Sequence, residues 1–424
     1  MVQRFLAPVI YLVVALSSCA LFPGEKNDSQ TNLIHQVSEA EVAKPEAVTS
    51  VGEIGWEWRP GEGESASDVH AGPAGAVIKL GDGLVGLKGD TGEELWRYQI
   101  PDAQTVPASF SPSGDQVLVA SSDVPGVVLD TVTGSVVAEN IDWDGSGRLL
   151  DDARLLHRQG EPEEALFKVQ DLESREILWQ QENPETCSEG GPSRLISVLS
   201  SSEAVVLWLH CSEDTSEEAV WEPEPGTVNA LVALDPANGE ELWRQESENV
   251  DGLGQASATM LHGAIVADFP SQDGWLIIDP GSGDTVAESP KPVLAVSQTH
   301  YLAGPDFLAE DTTHELRTFE GEVSSSVTLP ERFLSRSASA PAIGLAEQLV
   351  TIDMERGSPE DAINAIVTPW REESTNTVIS ATTTGQANIT DPGSLLSVPG
   401  AVLVYVPVDH AGNIDSLEHV VALR

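Results

Sequence analysis

Residues 229–244 read NALVALDPANGEELWR and contain the unit that decides the fold. An apolar run at residues 230–234 predicts a strand, and Leu242 and Trp243 lie on a second one. The turn between them, Asp-Pro-Ala-Asn-Gly at residues 235–239, combines side chains that hydrogen-bond their own backbone with a glycine that accepts a positive φ. The stretch therefore predicts a β-hairpin. Because a single hairpin is only marginally stable in water, the next question is whether it recurs.

The same pattern recurs four more times, at residues 83–97, 127–139, 167–180 and 275–288. The equivalent turn positions are separated by 42, 41, 64 and 44 residues and are occupied by Gly92, Gly134, Arg175, Gly239 and Gly283. A β-rich repeat of about 40–45 residues is typical of a four-stranded propeller blade. Unrelated hairpins in a β-sandwich are the alternative, and recurrence in phase favours the propeller.

The apolar strand, Asp, Thr-Gly-Glu and Leu-Trp of residues 83–97 resemble the repeat of the pyrroloquinoline-quinone-like (PQQ-like) β-propellers. The resemblance extends over most of the chain after about residue 50. It implies an all-β ring in which Trp96, Trp179 and Trp243 pack one blade on the next. The family includes quinoprotein dehydrogenases, the lipoprotein propeller of the outer-membrane β-barrel assembly machinery and many surface proteins, so the resemblance leaves function open.

The two ends of the chain each resemble part of one repeat. Residues 51–59 (VGEIGWEWR) parallel the second half of the unit, and residues 418–424 (EHVVALR) parallel the first half. We therefore expect the ring to close by sharing one blade between the termini, which removes free strand edges. With weaker units around Gly321 and in residues 349–382, the count is about eight four-stranded blades, with seven as the alternative.

The first residues predict export and anchoring. Residues 1–18 have a short basic start and a short apolar core, typical of a signal peptide. Leu-Ser-Ser-Cys at residues 16–19 resembles a bacterial lipobox, which implies lipid (palmitate) on Cys19; an ordinary signal peptide with an unrelated cysteine is the alternative. Residues 19–50 are polar and predict a flexible tether, and residues 51–424 predict the propeller.

The long interval in the repeat contains an insertion without any positive charge, residues 212–226 (SEDTSEEAVWEPEPG). Its charge and prolines predict a solvated loop on one rim of the ring, either a tolerated insertion or a partner-binding loop. The candidate binding residues are Glu213, Asp214, Glu217, Glu218, Trp221, Glu222 and Glu224.

Cysteines and charge limit the classes of function. Cys187 and Cys211 are 24 residues apart in one predicted blade, and export permits a disulfide between them. The net charge of −47 argues against a nucleic-acid partner, because phosphates require Lys and Arg. It is compatible with basic or cationic partners and also with adaptation to salt.

The sequence contains no recognisable motif for a cofactor, a metal ion or a catalytic group. The vicinal Cys-Cys pair of the quinone-dependent members of the family is absent, and the histidines lack metal-binding spacing. Residues 142–147 (DWDGSG) partly resemble a calcium loop, but Ala153 stands where the bidentate acid belongs, which favours an acidic turn. We therefore expect no cofactor, no metal site and no catalytic residues.

These observations predict a non-catalytic, lipid-anchored β-propeller of the cell envelope. We expect a monomer that binds an envelope protein through its rim loops and reaches the membrane through the lipid on Cys19. Two alternatives remain: a quinoprotein-like dehydrogenase or other envelope enzyme, and a surface protein that senses a ligand with Trp221 and the acidic loop.

Overall fold

The computed structural model describes most of the chain from Leu33 onward. The described residues are 33–39, 41–101, 103, 106–121, 124–143, 147–159, 166–182, 187, 193–212, 226–249, 256–269, 274–305, 313–329, 342–354, 362–370, 375–382, 394–410 and 413–424. Within these ranges there are 33 strands and no helix, so no helix in the described part of the chain is long and apolar enough to cross a membrane.

The strands form eight antiparallel units of four, the blades. Two short strands precede the first blade: β1 (Ile34–Gln36) and β2 (Ile54–Trp58). Blades 1 to 4 comprise β3 (Ala66–Gly72), β4 (Gly75–Leu80), β5 (Gly83–Lys88), β6 (Glu94–Gln99); β7 (Ala108–Phe110), β8 (Gln116–Val119), β9 (Gly126–Asp130), β10 (Val136–Ile141); β11 (Arg148–Leu150), β12 (Arg154–Gln159), β13 (Leu166–Asp171), β14 (Ile177–Glu182); β15 (Ser193–Ser200), β16 (Val205–Cys211), β17 (Thr227–Leu234) and β18 (Glu241–Asn249).

The second half of the ring repeats this plan. Blades 5 to 8 comprise β19 (Ser257–Leu261), β20 (Ala264–Asp268), β21 (Trp275–Ile278), β22 (Thr285–Ser289); β23 (Val293–Val296), β24 (His300–Ala303), β25 (Thr313–Thr318), β26 (Val323–Thr328); β27 (Ala342–Gly344), β28 (Gln348–Met354), β29 (Ala362–Pro369), β30 (Thr377–Thr382); β31 (Ser394–Val398), β32 (Ala401–His410), β33 (Asn413–Leu423) and the early strand β2.

The first strand of each blade lies innermost, toward the axis of the ring. Neighbouring first strands touch, as β7 touches β11, β15 touches β19 and β27 touches both β23 and β31. The contact of β31 with β3 then brings blade 8 beside blade 1. The fold is therefore an all-β propeller of eight four-stranded blades, which confirms the count of eight.

The closing blade is shared between the two ends of the chain, as the sequence predicted. Strand β2 pairs antiparallel with β33, with Trp58 opposite Val420 and Ile54 opposite Leu423. The backbone N–H of Arg424 also donates to the carbonyl of Glu53. Because β2 is the outermost strand of blade 8, the amino-terminal segment completes a sheet begun by the last thirty or so residues.

Apolar side chains fill the spaces between successive blades. The cluster between blades 8 and 1, for example, contains Trp56, Ile78, Val85, Leu403 and Val420, all buried. Middle strands such as β5 and β17 are buried on both faces, so they read as continuous apolar runs rather than as alternating patterns. Burial against two neighbours explains why these strands were the clearest part of the sequence repeat.

The predicted tether, residues 19–50, ends earlier than its composition indicated. Strand β1 adds a fifth strand to blade 1 by pairing with β6, His35 opposite Tyr98. Farther on, the backbone of Ala47 bridges Pro399. Leu33, Ile34 and Val37 nevertheless remain exposed, so backbone pairing on an open edge, rather than apolar burial, orders this segment. The signal peptide and the lipidated Cys19 fall in residues 1–32, outside the described residues, and remain predictions.

Candidate functional site

The blades are joined by a repeated tryptophan contact that involves four of the ten tryptophans. In each case the indole Nε1 of a fourth strand donates to a carbonyl in the turn between the third and fourth strands of the next blade. The pairs are Trp56 with Gly89 (2.8 Å), Trp96 with Thr131 (2.7 Å), Trp179 with Pro236 (2.9 Å) and Trp243 with Pro280 (2.8 Å). The expectation that Trp96, Trp179 and Trp243 pack one blade on the next is confirmed.

The turn that receives each tryptophan requires glycine for two reasons. Gly134 has φ of +72°, which disfavours other L-residues, and a Cβ built on it would lie 2.6 Å from Trp96. Blade 2 carries Ala138 at the tryptophan position, and the next turn carries Arg175 in place of glycine at φ +64°. Where no indole ring covers the turn, the backbone still adopts the left-handed conformation, but there is room for a side chain.

The two faces of the ring differ in their connections. We call the face with the turns between first and second strands, and between third and fourth strands, the turn face. The opposite face, with the second-to-third connections and the connections between blades, is the loop face. Ser212 and Gly226, the described ends of the connection between the second and third strands of blade 4, lie on the loop face.

The predicted disulfide lies at the base of that segment. Cys187 and Cys211 are bonded, with their Cα atoms 6.1 Å apart. Both are buried with Leu156, Phe167 and other apolar residues between blades 3 and 4. Cys211 is the last residue of β16, so the bond fixes the point from which the acidic segment leaves the sheet. The candidate partner-binding residues themselves lie outside the described residues: Glu213, Asp214, Glu217, Glu218, Trp221, Glu222 and Glu224.

A cavity of about 930 Å³ opens at the axis on the turn face, and nothing in the sequence analysis predicted it. Turns from blades 2, 4, 5, 6 and 7 line it, together with Ser397 of β31 in blade 8 and Ala47 from the amino-terminal segment. One part of the wall is apolar, formed by Met260, Val296, Leu302 and Leu345. The rest includes Ser and Thr hydroxyls, the carboxylates of Glu203 and Asp279, the imidazoles of His262 and His300, and further apolar residues.

The charges around this cavity have one sign. The eight turns between first and second strands, all described, contain Asp115, Asp151, Asp152, Glu203 and Glu347 and neither Lys nor Arg. The nearest cation in sequence is Arg154, at the start of β12, whose Nη2 lies 3.9 Å from Asp152. Of these five acids only Glu203 lines the cavity, where Asp279 joins it, and the lining residues include no Lys or Arg. Such a negative lining attracts positive ligands.

Two of the acidic side chains converge from adjacent blades. Asp279 begins the turn Asp-Pro-Gly-Ser-Gly of blade 5 and accepts a hydrogen bond from the Ser282 N–H at 2.8 Å. A Cβ built on Gly281 would lie 2.7 Å from Oε2 of Glu203 and 3.5 Å from Oδ1 of Asp279. The missing side chain of Gly281 therefore leaves the space that the Glu203 carboxylate occupies.

The described residues contain no metal-binding group. Three or more His, Cys, Asp or Glu side chains never come together there as a metal-binding group. In the sequence that partly resembles a calcium loop, Trp143 Nε1 donates to the Gly147 carbonyl at 3.0 Å, and residues 144–146 are outside the described part. Among the described residues, the axial cavity and the base of the acidic segment are the features suited to binding.

Comparisons with known proteins concern the fold. No family model and no curated protein matches the sequence. The chain is similar to the crystal structure of BamB from Moraxella catarrhalis, with a TM-score of 0.46 and 14% identity over 88% of this chain and 99% of that one. It is also similar to quinohemoprotein alcohol dehydrogenase from Comamonas testosteroni, with a TM-score of 0.43 and 12% identity over 89% of this chain and 77% of that one. The strand pairing itself defines this chain as an eight-bladed β-propeller.

Proposed function

We propose that the protein is a non-catalytic, lipid-anchored propeller of the cell envelope that binds a partner protein through residues 212–226. The lipid on Cys19 would hold the ring at a membrane, and the acidic segment on the loop face would recognise a basic surface of the partner. The blades would supply rigidity rather than chemistry.

The observation that carries this proposal is the anchoring of the acidic segment. The Cys187–Cys211 bond ties the end of β16 to the connection between blades 3 and 4, in a buried apolar cluster. A binding segment that leaves from a rigid base loses less conformational entropy on association. The segment adds Trp221, a residue type enriched at interface hot spots, to six acidic residues without any Lys or Arg.

The test compares variants of the full-length protein in its native membranes. One variant neutralises the segment by converting Glu213, Asp214, Glu217, Glu218, Glu222 and Glu224 to amides. The control neutralises six exposed acids on blades 2 to 5: Glu139, Glu173, Glu176, Glu240, Glu248 and Glu288. A third variant is Trp221→Ala.

We expect proximity cross-linking to capture one specific protein with the wild type and the control. That protein should then bind the purified wild-type chain, and both segment variants should weaken its binding at least about tenfold, which is 1.4 kcal/mol. If the control weakens binding as much as the segment variant, only general acidity is involved and the proposal is wrong. Release of the Cys19→Ser protein from the membrane fraction is the expected result for the anchor.

A further inference from the structure

The axial cavity on the turn face combines an apolar wall with negative charge. Its volume of about 930 Å³ is in the range, about 300–1,000 Å³, of pockets that hold ligands larger than a single ion. Met260, Leu302 and Leu345 supply an apolar wall, and Glu203 and Asp279 supply negative charge at its edge. A methylene chain that ends in a positive group matches both parts of this wall.

The Glu203 carboxylate is available for such a ligand. Its backbone N–H is held by Ser201 Oγ at 3.1 Å, so the turn is fixed independently of the side chain. Within the described residues the carboxylate itself takes part in no hydrogen bond or ion pair, and it rests against Gly281 of the next blade. The carboxylate is thus positioned by shape and left without a cation.

Asp279 supplies the second charge from the neighbouring blade. One of its oxygens, Oδ1, accepts the Ser282 N–H and stabilises the turn that receives Trp243. The other oxygen takes no part in that bond. A cationic group near Gly281 would therefore meet carboxylates from blades 4 and 5 together.

We infer that this cavity binds the basic side chain, lysine or arginine, of a peptide segment presented by a partner protein. The stem would lie along the apolar wall, and the ammonium or guanidinium group would lie near Glu203 and Asp279. The shared chemistry, an alkyl chain with a terminal cation, also occurs in free polyamines. The site lies on the face opposite to Ser212 and Gly226, the described ends of the acidic segment. An experiment can therefore contradict this inference without contradicting the proposed function, and the reverse.

The experiment measures binding by calorimetry with the full chain at about 0.15 M salt, where charges beyond about 8 Å are largely screened. The probes are acetylated tetralysine amide, the corresponding tetraglutamine and spermine. The variants are Glu203→Gln, Gly281→Ala and, as the matched control in the same blade, Glu248→Gln on the outer strand β18. Thermal melting establishes that each variant is folded.

We expect one tetralysine to bind per chain and tetraglutamine not to bind. Glu203→Gln should raise Kd about three- to fivefold, as for the loss of one exposed charge pair. Gly281→Ala should also raise Kd, because its new Cβ displaces the Glu203 carboxylate without removing a charge. Glu248→Gln should leave Kd unchanged.

Two results would overturn the site. One is that Glu248→Gln weakens binding as much as Glu203→Gln, and the other is that several peptides bind per chain; both would mean attraction by the overall charge. Spermine binding that is tighter than tetralysine binding and equally sensitive to Glu203→Gln would overturn the peptide as the source of the cation. Neutralising residues 212–226 should not change Kd for tetralysine.

Discussion

The interface between blades 1 and 2 and the interface between blades 2 and 3 are both bridged by a hydrogen bond from a side chain to a backbone carbonyl. The donor belongs to the earlier blade in the first interface and to the later blade in the second. In the first, Trp96 of blade 1 donates its indole N–H forward to the Thr131 carbonyl of blade 2. In the second, Ala138 cannot do so, and Arg175 of blade 3 donates backward to the Glu139 carbonyl at 3.1 Å. The bond between blades is kept while its donor moves to the other blade.

The difference shows which features of the repeat are coupled. Glycine is required where an indole ring covers the turn, because a Cβ would clash with the ring; this applies at positions 92, 134, 239 and 283. At Gly321, which follows a blade with Ala287 at the tryptophan position, a Cβ would meet nothing within 4 Å. The tryptophan of one repeat and the turn glycine of the next repeat therefore form a single packing contact.

The largest expected effect comes from breaking the interface at which the chain ends meet. Deletion of residues 51–59 removes Trp56 and the outermost strand of blade 8, and it exposes the edge of β33. We expect an aggregating protein without a cooperative melting transition, measured by circular dichroism and size exclusion. Deletion of residues 33–36, which removes β1 from the outside of an already complete blade 1, is the control and should melt cooperatively.

The next largest effect is expected for a single tryptophan. Trp96→Ala removes a ring that is 1% exposed and leaves the Thr131 carbonyl without its donor, so it should cost about 3–5 kcal/mol of unfolding free energy in urea titrations. Leu242→Ala, at an exposed position on a fourth strand, should cost less than about 0.5 kcal/mol. A cost for Trp96→Ala below about 1 kcal/mol would show that the apolar cluster alone holds blades 1 and 2 together.

Most of the ring was predictable because the residues that are buried between blades recur at the same positions in each repeat. The regular spacing of glycine and tryptophan gave the blade period, and residues 51–59 gave the closure of the ring. The axial cavity was not predictable, because Glu203 and Asp279 belong to turns of different blades and come together through the curvature of the ring. Strand β1 was missed for another reason: its exposed residues carry no apolar pattern, and the edge of β6 that it pairs with is a property of the folded sheet.

The two functions of the turn glycine can be separated with a matched pair. Gly134→Ala meets both a positive φ and the ring of Trp96, so we expect a cost of about 2–4 kcal/mol. Gly321→Ala meets only the positive φ of +84°, so its cost should be about 1–2 kcal/mol. Both are measured by urea unfolding. Equal costs for the two substitutions would mean that the indole contact adds nothing to the requirement for glycine.

A smaller effect is expected from building the contact where it is missing. Arg175→Gly relieves the strain of a non-glycine residue at φ +64°, about 1–2 kcal/mol, but loses the bond to the Glu139 carbonyl, about 0.5–1.5 kcal/mol. The free energy of unfolding should therefore change by no more than about 1 kcal/mol. Ala138→Trp alone should destabilise, because the Arg175 side chain occupies the place where the ring would pack. In a double-mutant cycle, the free energy of unfolding of the double variant should be higher by about 0.5–3 kcal/mol than the value expected from adding the effects of the two single substitutions. Additive changes would contradict the coupling of tryptophan and glycine.

The smallest expected effect concerns pH at the closing blade, which has a tryptophan contact and also a buried histidine. Burial, and next the nearby Arg59 cation, hold the pKa of His419 below its ordinary value of 6.5, against the opposing effect of Glu57. The folded state therefore binds fewer protons than the unfolded state just below pH 6.5. This contribution to stability is present above pH 6.5 and is lost as the pH falls toward the folded-state pKa. In urea unfolding at pH 7.5 and 5.5, His419→Gln should lose less stability on acidification than the wild type does. Arg59→Met, which removes the cation, should reduce the loss in the same direction, and an unchanged loss in both variants would place the pH sensitivity outside the closing blade.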